Sequence, residues 1–363
     1  MKLYWDITKS VGYAHHSGIR RVALALGQAL ESILQNDFSW VVWNSRKKCF
    51  QKTHPFSEDL PSRVVPMDDP EAWLISPEVF REKERKGFSN WCQAFSGKWG
   101  LIFHDLIPIR FPEITWPKSV RRHPEYIQLL AKADRIFSVS QASLDDLFAY
   151  TRDRGLTLPP SVILKLASFR VPEKLPPKED PPPLKILQVA ILEPRKNQEI
   201  LLDALELLWS EKQLIEATFV GRVNPHFGKP IAKRIKNLKK AGHPVKHLDA
   251  PDDANLVDCY QKSHLTVLPA KTEGAGLPLL ESLSYGTPVL GSNIPSFQEY
   301  GENLPVRFFP SENLELLTQT LGQLVKEPHG WEKWYQQARS CNLHSWEDTA
   351  RELINTLKNS DPG

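Results

Sequence analysis

Two carboxylates eight positions apart, Glu273 and Glu281, bracket the richest stretch of the chain, KTEGAGLPLLESLSYGTPVLGSN at residues 271–293. A buried strand (Leu265–Leu268) leads into a short loop that carries Glu273, Gly274, Ala275 and Gly276. Glycine tolerates backbone angles that other residues avoid, so such a loop lets the main chain approach a ligand closely. Leu277–Pro278 then opens a helix carrying Glu281. Proline in the first turn loses no needed hydrogen bond and presets the backbone angle. The N–H groups and dipole at a helix start favour an anion such as phosphate. Carboxylates beside that site accept hydrogen bonds from hydroxyls. Phosphate next to hydroxyl is the signature of a nucleotide-sugar, and residues 273–277 with Glu281 are its candidate binding set. The competing reading is two surface acids around a Gly-rich turn.

A second set is EPRKNQ, Glu193 to Gln198, directly after an apolar strand at Lys185–Ala190. Arg195 and Lys196 sit at the carboxyl end of that strand and just before a helix, where open α/β sheets bind ligands. Arginine offers a two-pronged fork to phosphate oxygens and lysine a compact charge. A diphosphate leaving group gains negative charge as its bond breaks, so fixed cations there lower the barrier.

Two further strings carry candidate residues. In IFHDLIPIRFPE, Ile102 to Glu113, His104 and Asp105 stand where a buried strand runs out. In HHSGIRRV, His15 to Val22, Gly18 frees the backbone and Arg20 and Arg21 occupy a helix entry, an unfavourable place for cations that an anionic ligand would relieve. The His15–His16 pair has no carboxylate or cysteine at ligand spacing, so no metal site is expected. From Lys229 to Lys246 there are seven Lys or Arg and no acid. One face, Lys233, Lys236 and Lys240, would meet anionic lipid at about 1 kcal/mol per charge. A solvated helix is the competing reading.

The elements that must position these residues alternate between apolar runs and helical patterns, which predicts parallel sheets in an α/β architecture. Strands are expected at Leu3–Ile7, Ser39–Trp43, Leu101–Phe103, Arg135–Val139 and Val162–Leu166, with a helix through Ile19–Ile33. Residues 46–98 read only as loops and short helices. Six prolines between Val171 and Lys185 make a stiff, extended segment. We take 1–170 as one Rossmann-like domain, 171–184 as linker and 185–344 as a second. A final amphipathic helix at 345–363 has Ser345 as its N-cap. In the second domain a helix at Asn197–Glu211, a strand at Ala217–Gly221, a basic helix at Pro230–Ala241, a strand near Val245–Leu248 and a helix at Asp253–Lys262 precede the opening motif.

At 363 residues two cores are expected. A net charge of +3 gives no nucleic-acid signature. The four cysteines lie far apart without a C-x-x-C pair, which favours a reducing compartment. No apolar run reaches the length of a membrane span, and the start has no signal-peptide pattern. A cytoplasmic protein is expected.

The pattern E-G-x-G-L-P-x-x-E at Glu273–Glu281 resembles the E-x7-E signature of the retaining glycosyltransferases of family 4, which adopt the two-domain GT-B fold. Arg195-Lys196-Asn197 resembles that family's R-K-N motif, although Ala190-Ile191 stands where glycine is common. The H-D-L-I-P string at 104–108 is similar to the HD-x-x-P segment of the bacterial mannosyltransferases of this family. Gly18 to Val22 resembles their T-G-I-x-R-V start, with Ser17 in place of threonine. The resemblance implies a cleft between two Rossmann-like domains and a last helix that crosses back to the first. It also implies transfer of a hexose from a nucleoside diphosphate sugar to an acceptor hydroxyl, with retention and without metal or other cofactor. Arg195 and Lys196 would stabilise the departing diphosphate, Glu281 would bind ribose, and Glu273 would bind the donor sugar. His104 would contact the sugar, and Asp105 would orient it or the acceptor, or else serve as a cap. The base is expected near His247–Leu248. The subgroup strings lean to GDP-mannose, and the acceptor implied is a glycan or lipid-linked glycan in polysaccharide, O-antigen or glycolipid assembly. Rhamnosyl- and glucosyltransferases share the pattern, and a non-catalytic nucleotide-sugar-binding protein is the rival from another class.

Overall fold

Strongly apolar, short strands dictate the architecture. Four of them, β1 (Leu3–Asp6), β4 (Trp73–Ser76), β11 (Leu265–Leu268) and β12 (Val289–Ser292), are buried at every position. That is the pattern of parallel strands covered on both faces by helices. The computed structural model describes residues 1–12, 17–56, 61–167, 175 and 183–359. Most of the proline-rich stretch taken as linker, and the His15–His16 pair, lie outside those residues.

Two sheets result. The first has seven strands in the order β3-β2-β1-β4-β5-β6-β7, adding β2 (Phe38–Asn44), β3 (Cys49–Lys52), β5 (Lys98–Phe103), β6 (Arg135–Ser138) and β7 (Ser161–Ile163). It is parallel except where β3 turns back on β2. Its helices are α1 (Thr8–Gly12), α2 (Gly18–Leu34), α3 (Phe88–Ala94), α4 (Ile107–Arg110), α5 (Pro117–Leu130) and α6 (Gln141–Arg152). The second sheet has six parallel strands, β10-β9-β8-β11-β12-β13, adding β8 (Leu184–Val189), β9 (Ile215–Val220), β10 (Val245–Leu248) and β13 (Val306–Phe309). Around it run α7 (Gln198–Ser210), α8 (Gly228–Lys240), α9 (Asp253–Lys262), α10 (Leu277–Ser284), α11 (Pro295–Gly301), α12 (Leu314–Lys326) and α13 (Pro328–Ser340). Last comes α14 (Trp346–Lys358).

The chain divides into two units, Met1–Pro112 with Pro117–Ala167 and His344–Gly363, and Glu113–Trp116 with Ser168–Leu343. The final helix therefore belongs with the first sheet. A capping box of Ser345 and Asp348 starts α14. Its apolar stripe, Trp346, Ala350, Leu353, Ile354 and Leu357, is buried. The helix packs against α2, and Thr349 Oγ1 donates to the Lys165 carbonyl at 2.8 Å. This is the returning helix of the GT-B layout, and the α/β, two-Rossmann-fold expectation holds.

In the first unit, α2 lies close on its sheet. A Cβ on Gly27 would come within 2.2 Å of the Trp40 ring, and Trp5 Nε1 donates to the Ala23 carbonyl at 2.8 Å. The region expected to hold only loops and short helices, 46–98, contributes two strands, and one of them, β4, is the central strand of the sheet, beside β1. Its four residues, WLIS, are too short and too uniformly apolar to show a strand period. The half-exposed β13 and the helices α5, α6 and α11 were likewise not anticipated.

Candidate functional site

Where consecutive connections leave a parallel sheet in opposite directions, a crevice opens at the carboxyl ends of the strands. In the second sheet this point lies between β8 and β11, because β8 leads on to β9 and β11 leads to β12 on the other side. The two loops that emerge there are the two motifs singled out from the sequence.

After β8 the chain makes a 3-10 turn, Pro194–Lys196. Asn197 then takes a left-handed conformation with φ of 55° and launches α7. Polar ties hold the turn on several sides. Gln188 Nε2 donates to the Lys196 carbonyl at 3.0 Å, and Gln198 Nε2 donates to the Ile191 carbonyl at 3.0 Å. Asn197 Nδ2 donates to the Ser311 carbonyl at 2.8 Å. Glu193 pairs with Arg195 Nε at 2.5 Å and accepts from Asn224 Nδ2 at 2.8 Å. The Lys271 N–H donates to the Arg195 carbonyl at 2.9 Å, which joins this loop to the one after β11.

In that second loop Glu273 accepts from Lys196 Nζ and, at 3.2 Å, from Arg195 Nη1. Its carbonyl accepts from Ser296 Oγ at 2.9 Å. Burial pushes the Glu273 carboxyl up, but Lys196 and Arg195 outweigh it and hold the group below its ordinary value. Burial and the neighbouring Arg195 work in turn against the Lys196 ammonium, with Glu273 opposing them, and the net direction is down. Gly276 turns the chain at φ of 88° directly under Phe297, where a Cβ would come within 2.4 Å of the ring. Only glycine fits that position. Then α10 begins, with Pro278 in its first turn.

Glu281 lies on α10, 3 % exposed, and accepts from the Tyr260 hydroxyl at 2.9 Å. His247, in β10, pairs through Nε2 with the Gly221 carbonyl at 2.7 Å, and Leu248 is half-buried at the end of that strand. The close backbone approach at this edge falls on Gly221, after β9. A Cβ there would lie 2.1 Å from the Ala190 carbonyl oxygen. Gly221 thus lets the end of β9 pack against Ala190-Ile191, the residues that follow β8.

The structure places Arg195, Lys196 and Glu273 in one ion-paired group and puts Gly274, Ala275, Gly276 and Leu277 in the adjoining loop and helix start. Glu193, Asn224, Tyr260 and Ser296 complete the arrangement. None was picked out as a site residue from the sequence. Glu193 lies inside EPRKNQ and was within reach of sequence reasoning, whereas Tyr260 and Ser296 belong to no motif.

Candidates in the first unit have partners of their own. His104 Nε2 lies 2.7 Å from the Pro77 carbonyl. A carbonyl only accepts, so that nitrogen carries the proton. Burial holds the ring below its ordinary pKa, so it is neutral. The Asp105 carboxylate caps the Ile107 N–H at 3.0 Å, the capping alternative weighed for it. Gly18 is the first residue of α2, behind the Ser17 cap, and Arg20 Nε donates to the Ser10 carbonyl at 3.0 Å.

The crevice between β1 and β4 holds an unanticipated network. Arg85 is paired with Asp6 and, at 2.6 Å, with Glu78, and its guanidinium lies 3.6 Å from the Phe80 ring centre. Ser76 Oγ donates to Asp6 at 2.6 Å. Glu78 also accepts from the Lys9 and Ser10 N–H groups at the start of the chain's first helix. No group of His, Cys, Asp or Glu able to hold a metal ion occurs among the described residues.

The glycosyl transferases group 1 family model matches residues 172–340, the stretch that contains both loops of the second site. The serotype-specific mannosyltransferase WbdA of Escherichia coli is 25% identical over 393 aligned residues, covering 98% of this chain and 46% of WbdA. The O-antigen chain mannosyltransferase B of Escherichia coli is 27% identical over 275 residues, covering 70% of this chain and 69% of that one. The chain thus spans less than half the length of WbdA. Among solved structures, Anabaena Alr3699/HepE in complex with UDP and glucose superposes with a TM-score of 0.67 at 13% identity, covering 99% of each chain. Sucrose-phosphate synthase from Thermosynechococcus elongatus gives 0.67 at 16% identity, covering 99% of this chain and 98% of that one. Those two likenesses speak for the fold, while the sequence matches speak for descent. The chain has the two-sheet, returning-helix layout of GT-B architecture, matches the glycosyl transferases group 1 model through residues 172–340, and is similar in sequence to the bacterial O-antigen mannosyltransferases.

Proposed function

We propose that this chain transfers mannose from GDP-mannose to a hydroxyl of a glycan or lipid-linked glycan, with retention, in polysaccharide, O-antigen or glycolipid assembly. The observation that carries the reading is the Arg195–Lys196–Glu273 cluster at the crevice between β8 and β11. A diphosphate entering there takes over the two cations from Glu273 and leaves that carboxylate to accept from donor-sugar hydroxyls. As the glycosidic bond breaks, charge builds on the departing phosphate, and fixed cations stabilise that charge. Glu281 accepts from ribose, and the base rests near His247–Leu248. His104 beside the sugar and Asp105 orienting it or the acceptor are carried from the resemblance alone. So are metal independence and retention.

Mannose is favoured over rhamnose and glucose by the names of the similar Escherichia coli proteins. Against a non-catalytic nucleotide-sugar-binding protein stands the intact set of Arg195, Lys196, Glu273 and Glu281. The decisive experiment is a thermal-shift screen against GDP-, UDP-, TDP- and ADP-sugars, followed by a transfer assay with the donor that binds. Stabilisation by GDP-mannose with transfer to a mannan acceptor supports the reading. Binding without transfer or donor hydrolysis supports the non-catalytic rival.

Peripheral membrane contact is a second part of the proposal, resting on the exposed lysines 229, 233, 236, 239 and 240 of α8. Arg234, on the same helix, is occupied by Asp203 and Glu206. Co-sedimentation with vesicles containing anionic lipid, lost at high salt, is the expected result. No described helix is long and apolar enough to cross a membrane.

A further inference from the structure

Tyr260 lies on the last turn of α9, is fully buried, and aims its hydroxyl at Glu281 Oε2 from 2.9 Å. Nothing in the sequence around it marks it. Its surroundings fix the ring firmly. It stacks on Tyr285 with centroids 5.5 Å apart and planes at 21°. It packs in a small apolar cluster with Leu187 of β8 and Val220 of β9, and Leu248 of β10 and Leu256 of α9 lean against that cluster. Its backbone carbonyl accepts from Thr287 Oγ1 at 2.7 Å. The ring and backbone of Tyr260 are therefore fixed by residues of three strands and the loop before β12.

We propose that Tyr260 is a positioning residue for Glu281, holding one carboxylate oxygen so that the group accepts from the ribose hydroxyls of the nucleotide. The inference rests on the ribose role given to Glu281 above. The terminal torsion of a glutamate is broad and roughly two-fold, and each other orientation it samples reduces the time spent in the accepting one. One hydrogen bond from a rigid donor removes that freedom before ligand arrives. Because Leu248 leans on the same cluster, the strand end assigned to the base and the carboxylate assigned to the ribose share one buried support. Tyr260 therefore serves nucleotide binding and does not touch the reacting atoms.

The test uses the full chain and calorimetric titration with the nucleoside diphosphate that binds best among GDP, UDP, TDP and ADP, and with its 2′,3′-dideoxy form. Tyr260→Phe keeps the ring and removes the hydroxyl. It should weaken binding of the hydroxyl-bearing nucleotide by about ten-fold, the loss of one hydrogen bond to a charged group. The dideoxy form should bind variant and wild type within about two-fold of each other, because the penalty runs only through the sugar hydroxyls. In a Glu281→Gln background the tyrosine substitution should add no further loss of the hydroxyl contribution. An equal loss for both nucleotides, no loss for either, or a variant that does not fold makes the hydrogen bond structural and overturns the inference. A wild-type chain that binds none of the four nucleotides overturns the proposed function instead, and the inference with it.

Discussion

The crevice between β1 and β4 and the crevice between β8 and β11 occupy the same topological place in their sheets, yet the chain treats them in opposite ways. In the first, the charges sit on the strand ends themselves. Asp6 closes β1, Ser76 closes β4, and Arg85 fills the space between them and Glu78, all within 1 % of full burial. In the second, the charges sit on loops beyond the strand ends, where the Arg195 side chain keeps 21% of its surface exposed. A guanidinium locked between two carboxylates spends its donors on the protein. Lys196 and Arg195 are also paired, with Glu273 and Glu193, but on loops where the arginine stays partly exposed and an entering phosphate can compete for both cations. Sheet topology supplies an edge, and the position of the charges along the chain decides whether that edge is sealed or receptive.

Cutting the sealed network should have the largest effect. Arg85→Ala leaves Asp6 and Glu78 buried without their cation, which costs about 3–5 kcal/mol. Thermal unfolding should show this as a large destabilisation of the first unit. Near-wild-type melting would mean that the crevice is not sealed by this pair.

Cutting the receptive cluster should act on ligand instead. Lys196→Ala should lose a charged hydrogen bond worth about 1.5–3 kcal/mol, roughly ten- to a hundred-fold in turnover or nucleotide affinity. The melting temperature should move far less than for Arg85→Ala. Unchanged turnover in the Lys196 variant removes that residue from the site.

Within the receptive site the two glutamates should separate. Glu281→Ala should weaken free nucleoside diphosphate more than Glu273→Ala, because Glu281 is assigned to the nucleotide and Glu273 to the sugar. The reverse order in a calorimetric titration overturns the division of labour. Glu273→Ala also releases Lys196 from its present partner while Arg195 keeps Glu193, so its effect on free nucleoside diphosphate is the smaller.

A further prediction, on the sealed network, concerns pH. Burial and the nearby Asp6 push the Glu78 carboxyl up from 4.5 to about 7, against Arg85. Between about pH 4.5 and 7 the folded protein therefore holds a proton there that the unfolded chain has released. Stability from this group is complete below the unfolded value and is lost as pH rises through about 7. The buried His104 and His123 are held below their ordinary value by burial and act in the opposite direction at pH below about 6.5. The quantity to measure is accordingly the difference between wild type and Glu78→Gln. The wild type should lose stability relative to the variant from pH 5 to 7.5, and a pH-independent difference would remove Glu78 from the balance.

The same contrast explains what was legible in the sequence. The receptive site is written in two contiguous strings, EPRKNQ and KTEGAGLP, each following a strand with a clear apolar run, so residue type and neighbourhood sufficed. The sealed network is scattered, with Asp6 and Arg85 79 positions apart. Two of its members, Glu78 and Arg85, fall in the stretch where a four-residue strand gives no period to detect. Charges that meet only through the fold leave no local signal. Tyr260 shows the same limit within the receptive unit. Its position on α9 is evident from the helical pattern, but its aim at Glu281, 21 positions on, follows from packing alone.

The return of α14 to the first sheet has a consequence for the order in which the protein is made. Thr349 closes a contact with Lys165 that lies 184 positions back along the chain. Domains generally fold as units during synthesis, at about 5–20 residues per second. The last helix of the first unit therefore reaches its seat roughly 10–40 seconds after the strands it joins. Throughout that interval the second unit emerges, while the face of α2 that α14 will cover stands open to the surroundings. The unit begun first is the one finished last.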